Sequence, residues 1–381
     1  MSWRVVDHIT IYRESGMYAK CPNVVRTPSG DLLVLFHRSP QLGYAHHSHP
    51  LFDIQACRSN DDGRSWSDPQ LVVSDPLGGV IDFGTHTLGD GTIFLHASSN
   101  ELMPADGHED INFNTRPHAK AMGSPEQSAW VSRPGIPFWV RSHDEGHTWT
   151  PPKRFPPLPD AVWGSPAEHS GVSRSGLLAM PDGRLLLPSK ATDQPDGEPP
   201  YFGMMRVSND MGETWKYGGR VAQDRIAHFS EPAIHRTPSG RILILFRCHP
   251  TPTDVLDVHG SATNRCLALV FSNDDGKTWS PWRPTKIKGS PGHMLGLADG
   301  RIFVTVGTRW EGQRGCMATV LDPEGSDLSR ATDLIVRGDS HSSDCGYPWA
   351  VELNDRRVLI VYYFDYGGYL CGIEGTIVED V

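Results

Sequence analysis

No stretch of the chain approaches the roughly 18 uninterrupted apolar residues that a membrane-spanning helix needs, so no membrane partner is expected. No Cys-x-x-Cys pair occurs. The seven cysteines (Cys21, Cys57, Cys248, Cys266, Cys316, Cys345 and Cys371) are odd in number and scattered, which predicts reduced thiols. The opening residues, Met-Ser-Trp-Arg-Val-Val-Asp-His, hold no apolar core of a secretory leader, and a cytoplasmic location is the expectation. Basic residues are the minority, 35 Lys and Arg against 45 Asp and Glu, for a net charge of −10. A nucleic-acid footprint should be basic, so no nucleic-acid partner is expected, although a local cationic pocket for a small anion stays open. No long segment repeats with a 3.6-residue period, so helix should be scarce.

Turn residues, in contrast, are plentiful: 39 Gly and 31 Pro are spread evenly along 381 residues. That pattern points to many short strands. An octapeptide, Ser-x-Asp-x-Gly-x-(Ser/Thr)-Trp, occurs four times: Ser59–Trp66, Ser142–Trp149, Ser208–Trp215 and Ser272–Trp279. Its aspartates, Asp61, Asp144, Asp210 and Asp274, recur at intervals of 83, 66 and 64 residues, and a degenerate fifth copy is expected at Asp322-Pro323-Glu324-Gly325. Asp in a turn bonds forward to backbone N–H groups, Gly supplies positive φ, and the Ser or Thr adds a second local bond. These aspartates are therefore structural, and the Trp is expected to begin the next strand and pack into the adjacent layer.

A second repeat, strand–turn–strand, interleaves with the first. It runs over Val24–Phe36, Thr87–His96, Leu177–Leu187, Ile234–Phe246, Leu295–Val306 and Val351–Tyr363. Six units of roughly 60 residues predict an all-β fold, a six-bladed β-propeller with four-stranded antiparallel blades, as one domain over 1–381. The one long interval implies a loop insertion at about 99–133, able to cover the channel mouth or to pack against another subunit, which leaves a homo-oligomer open. A strand at about Asp7–Arg13 is expected to complete the last blade beside Gly372–Val378 and remove an open edge.

The four Asp-boxes on six blades of this length resemble the sialidase (neuraminidase) superfamily over nearly the whole chain. That resemblance implies a tyrosine nucleophile, a glutamate that takes its proton, three arginines that hold a substrate carboxylate, and an acid/base aspartate in the first blade's loop. Cys345-Gly346-Tyr347-Pro348 looks like the nucleophile segment and Ser230-Glu231-Pro232 like the glutamate segment. Arg247, Arg314 and Arg38 stand where the family places arginines. A guanidinium suits that role because its planar fork meets a carboxylate with two parallel bonds.

Two positions depart from the pattern. The family's first arginine lies in Arg-Ile-Pro, and here Lys20-Cys21-Pro22 keeps the charge but loses the fork. The loop after Arg38 holds His46, His47 and His49 and no acid before Asp53. Three readings of these histidines stay open: a solvated loop, a proton-transfer or substrate contact, and a metal site. If the segment is extended, His47 and His49 share a face, which makes them the catalytic candidates. Further substrate-binding candidates precede the inner strands: His86, Glu168, His169 and His293, with Asp82 and His341 in equivalent places.

The resemblance implies an exo-acting glycoside hydrolase on an acidic sugar, with Tyr347 and Glu231 as the pair and no cofactor or metal required. Two rivals remain: a lyase acting on a uronic acid through Tyr and His, and a non-catalytic carbohydrate-binding propeller.

Overall fold

Residues such as Leu32–Phe36, Ile242–Phe246 and Val358–Phe364 are apolar without alternation and almost wholly buried. Strands read this way when both faces of their sheet are covered. The computed structural model supplies that cover. It describes residues 3–42, 47, 49–75, 78–104, 130–159, 174–192, 201–225, 227–250, 266–328, 334–368 and 370–381, with backbone alone at 100–104, 130–136, 249, 250 and 266. Among the described residues there is no helix, and the strands form six four-stranded antiparallel sheets.

The first strand, β1 (Trp3–Tyr12), belongs to the last sheet. Blade I is β2 (Met17–Arg26), β3 (Leu32–Pro40), β4 (Asp53–Ser59) and β5 (Gln70–Val73), from the channel outward. Blade II is β6 (Gly78–Thr87), β7 (Ile93–Pro104), β8 (Trp130–Ser142) and β9 (Lys153–Arg154). Blade III is β10 (Leu178–Ala179), β11 (Leu185–Ala191), β12 (Phe202–Ser208) and β13 (Lys216–Ala222). Blade IV is β14 (Ala227–Arg236), β15 (Ile242–Pro250), β16 (Cys266–Ser272) and β17 (Arg283–Lys288). Blade V is β18 (Gly292–Gly296), β19 (Ile302–Trp310), β20 (Gln313–Leu321) and β21 (Leu334–Arg337). Blade VI is β22 (Gly346–Glu352), β23 (Val358–Asp365) and β24 (Cys371–Asp380), with β1 outermost. β1 pairs with β24 from Trp3↔Asp380 to Tyr12↔Ile373, so the chain's two ends close the ring where the sequence placed the closure.

The core sits between blades. An apolar cluster lies at each junction: Val25 and Leu35 meet Val80 and Phe83 between I and II, and Phe94 meets Leu185 between II and III. Leu186 meets Ile244 between III and IV, Leu243 meets Val304 between IV and V, Phe303 meets Tyr362 between V and VI, and Tyr363 meets Phe36 between VI and I. Each buried side chain of this size contributes about 2 kcal/mol, and the ring distributes that gain over every junction.

The Asp-boxes turn between the third and fourth strands. In the third copy, Asp210 Oδ1 accepts from the Thr214 N–H at 2.9 Å, and the Ser208 hydroxyl accepts from the Gly212 N–H at 2.8 Å. Asp322 makes the same bonds to Ser326, so the fifth copy exists without its Trp. The tryptophans precede the fourth strands rather than begin them. Trp215 packs against Phe94 of the preceding blade, at 5.4 Å between centroids.

The insertion is only partly loop. β7 runs on to Pro104 and β8 starts at Trp130, with Asn100↔Pro134 and Pro104↔Trp130 paired, so the ends of the 99–133 segment lengthen a hairpin. Residues 105–129 lie outside the described residues.

Candidate active site

Four inner strands carry the same defect. The ladder skips between Lys20 and Asn23 in β2, Ile81 and Gly84 in β6, Ser230 and Ala233 in β14, and Gly346 and Trp349 in β22. At each skip a non-glycine residue has a left-handed backbone: Cys21 (φ 52°), Asp82 (φ 48°), Glu231 (φ 46°) and Tyr347 (φ 54°). Such residues cost about 1–3 kcal/mol each, and bulges of this kind re-aim side chains beside functional sites. In three of the four the next residue is proline (Pro22, Pro232 or Pro348), which has no N–H for the ladder to lose. Tyr347 and Glu231 thus lie inside strands at bulges, just ahead of the apolar runs that begin at Val351 and Ile234 in the sequence repeat. The bulge interrupts the apolar pattern and reads as a loop.

Tyr347, Glu231 and Arg247 meet. Arg247 Nη1 donates to Glu231 Oε2 at 2.8 Å and to the Tyr347 hydroxyl at 3.0 Å. Arg247 stands opposite Ser230 on β15, so one hairpin supplies both members of the ion pair. Burial opposes the charge on Glu231, but Arg247, a hydrogen bond from Tyr347, and Lys190 hold its pKa down to about 2. Burial and the Glu231 charge push the Tyr347 phenol far above its ordinary value, against the pull of Arg247 and Arg309. At rest the proton therefore stays on Tyr347. Arg247 Nη1 is bonded to both the carboxylate and the phenol oxygen.

Two further cations bracket the tyrosine, and neither was singled out from the sequence. Arg309 is the next-to-last residue of β19, its guanidinium 5.1 Å from the centre of the Tyr347 ring and its Nη1 bonded to the Ser290 carbonyl at 2.6 Å. Its Nη2 is buried with no hydrogen-bond partner among the described residues. Arg174 is 3% exposed. Its Nη2 donates to the carbonyls of Tyr347 at 3.1 Å, Pro348 at 2.8 Å and Pro22 at 3.4 Å, tying the bulges of blades VI and I together. The Arg174 guanidinium also lies 4.8 Å from the Trp349 ring centre. Below it, Trp349 stacks on His293 at 4.2 Å and lies 5.8 Å from His86, whose Nε2 meets the Ser175 carbonyl. Burial lowers the pKa of His86 to about 4 and holds His293 neutral too, so the two histidines pack the channel as uncharged rings.

The remaining sequence candidates separate. Arg314 lies opposite Arg309 but donates to the His341 carbonyl at 2.8 Å. Arg38 lies on the face of blade I that meets blade VI, 3.8 Å from Glu14. Lys20 is buried, its Nζ bonded to the His47 carbonyl at 3.2 Å and 4.5 Å from the centre of the Phe52 ring. His47 Nε2 lies 3.1 Å from Asp344 Oδ1. His49 accepts from the Leu51 N–H at 3.0 Å and packs on Phe52, which anchors its own loop. Asp82 is 3.6 Å from Lys190. His46, Glu168 and His169 lie outside the described residues. Among the described residues no group of three or more His, Cys, Asp or Glu is arranged to hold a metal ion.

Asp344, Arg309 and Arg174 are the site residues that sequence reasoning missed. Asp344 stands just before the quoted Cys345-Gly346-Tyr347, and Arg309 sits one hairpin turn from Arg314. The signal for the strand arginines was a strand end; which of two facing arginines turns inward was not legible.

The model of the BNR repeat-like domain family matches residues 120–360. A sialidase of Bacteroides fragilis (strain YCH46) is 20% identical over 343 residues, covering 88% of this chain and 52% of that protein. The chain thus spans about half the length of that relative. A crystal structure of a protein of unknown function from Dyadobacter fermentans DSM 18053 superposes with TM-score 0.85 at 28% identity, over 100% of this chain and 99% of that one. A Trypanosoma rangeli sialidase in complex with 2,3-difluorosialic acid, described as a covalent intermediate, superposes with TM-score 0.64 at 14% identity, over 97% of this chain and 59% of that one.

Proposed function

The chain belongs to the BNR repeat-like domain family, and from that premise we propose that it is a glycoside hydrolase of sialidase-like type that removes a terminal acidic sugar. The observation that carries the reading is the three-way contact of Tyr347, Glu231 and Arg247 on strained inner-strand bulges. The Tyr347 oxygen attacks the anomeric carbon while its proton passes to Glu231, and Arg247 stabilises the charge on both. A neutral phenol suits a sugar whose anomeric carbon bears a carboxylate, because it approaches without anionic repulsion. Arg247 and Arg309 serve as the carboxylate's partners, and the unmet Nη2 donor of Arg309 supports this assignment. His47 carries the proton of the departing oxygen.

The test is turnover of a panel of aryl sialosides, related 2-keto-3-deoxy glycosides and uronate-ended oligosaccharides, followed by free sugar and near-ultraviolet absorbance together. Release of the acidic sugar without new absorbance supports the hydrolase. New absorbance from an unsaturated uronate, or saturable binding with no product, replaces it with the lyase or the binding protein.

A further inference from the structure

Asp344 is 2% exposed and sits on the segment that also carries Tyr347. It is held by four donors from four places in the fold. The Tyr18 hydroxyl of β2 donates to its Oδ2 in a very short bond, and the Tyr363 hydroxyl of β23 donates to Oδ1 at 2.8 Å. The Cys371 thiol of β24 lies 3.9 Å from Oδ2, and His47 Nε2 lies 3.1 Å from Oδ1. Burial opposes its charge, yet His47 and the two tyrosines keep its pKa at about 2, so it is a carboxylate. Among the four described donors, Tyr18, Tyr363 and Cys371 are buried, and the His47 side chain, 25% exposed, is the one that reaches solvent.

We propose that Asp344 is the positioning residue for His47, and that the two form the couple which passes a proton to and from the glycosidic oxygen. This rests on the hydrolase reading above. Asp344 fixes the imidazole proton at Nε2, so the proton exchanged with substrate is the one at Nδ1. In the first step His47 acts as the imidazolium, having taken a proton from solvent at Nδ1; it gives that proton to the departing oxygen as the oxygen's bond to the anomeric carbon breaks, and is left as the neutral Nε2–H tautomer. The Tyr347 oxygen bonds to the same carbon and its proton goes to Glu231. In the second step His47 takes a proton from water, the water oxygen bonds to the anomeric carbon, the bond to Tyr347 breaks, and Glu231 returns the proton to Tyr347. The arrangement replaces an aspartate in the loop after Arg38 with a histidine governed by an aspartate of blade VI. Among the described residues, the charged and titratable groups facing His47 include Lys20, Asp344, Arg309 and His37. Burial and Lys20 lower the His47 pKa, and Asp344 opposes them.

Two measurements test the couple. In protein labelled with 15N in its histidines, the His47 side chain should be the Nε2–H tautomer at neutral pH, and Asp344→Asn should change that state. An Nδ1–H tautomer, or spectra that Asp344→Asn leaves unchanged, overturns the proposal without reference to activity. In turnover, Asp344→Asn and His47→Gln should each lower kcat by about 100-fold or more on a substrate with a sugar leaving group, and by less than about fivefold on an aryl glycoside with a good leaving group. Equal loss on both substrates marks a structural role and overturns it. If Asp344→Asn does not fold, Tyr363→Phe, which removes one donor from Oδ1, should show the same split in milder form. Absence of turnover by the unaltered protein on every substrate sinks the hydrolase reading instead, and the tautomer result still decides the couple.

Discussion

Arg309 and Arg314 face each other across the β19–β20 hairpin, yet only Arg309 turns its guanidinium to the Tyr347 ring, at 5.1 Å, while Arg314 bonds the His341 carbonyl. The two positions can therefore be told apart by experiment. Arg309→Met should lower kcat/KM about 100-fold or more, as expected when a buried charged partner of a substrate anion is truncated. Arg314→Met should stay within about threefold of the unaltered protein. Steady-state kinetics on the active acidic glycoside checks both, and the reverse order would return the clamp to Arg314.

The Glu231–Arg247 pair sets an acid limit on stability. Glu231 is held at about 2, below the roughly 4.3 of an unfolded glutamate. Its contribution is therefore fully present above about pH 4.3 and is lost as pH falls toward 2. Glu231→Gln should be less stable at neutral pH, because it leaves Arg247 buried and poorly compensated, and its stability should fall less steeply in that acid window. Thermal unfolding of the two proteins between pH 5 and 3 measures the difference. Parallel curves would contradict the pairing.

The Asp-boxes and the site should separate cleanly. Asp210→Ala removes the bonds to the Thr214 N–H and hydroxyl and should lower the melting temperature while KM stays unchanged. A change in KM at permissive temperature would connect the turn to the channel mouth.

Ring closure depends on β1. Deleting residues 1–12 uncovers the edge of β24 and removes Ile11 and Tyr12 from the apolar cluster they form with Phe36, Tyr363 and Ile373. The truncated chain should associate into larger species, read by light scattering, and lose its single cooperative melt. A monomer with an unchanged melt would show that five complete blades and an open sixth suffice.

The blade count, the Asp-boxes and the closing strand were legible because each writes a period into the sequence. Tyr347, Glu231 and Arg247 were legible through short motifs, and the structure brings those three into contact. What was not legible is direction. Arg38 and Lys20 both lie at the channel end of blade I, but Ala19↔Arg38 and Lys20↔His37 are successive pairs, so the two cations fall on opposite faces of the sheet. His47 and His49 read alike in the loop, yet one reaches a buried carboxylate of blade VI and the other ties its own turn. Asp344, Arg309 and Arg174 act through partners far away in sequence, and no local pattern announces such contacts.

The most direct test of the account is to trap the sugar on the enzyme. A 2,3-difluoro acidic sugar has a good leaving group at the anomeric carbon and a second fluorine that destabilises the positive charge needed for release. Incubation followed by intact-mass and peptide analysis should show one sugar bound covalently to Tyr347, with Tyr347→Phe left unlabelled. A sugar bound to another residue, or turnover of the acidic glycoside by Tyr347→Phe at the unaltered rate, would contradict it.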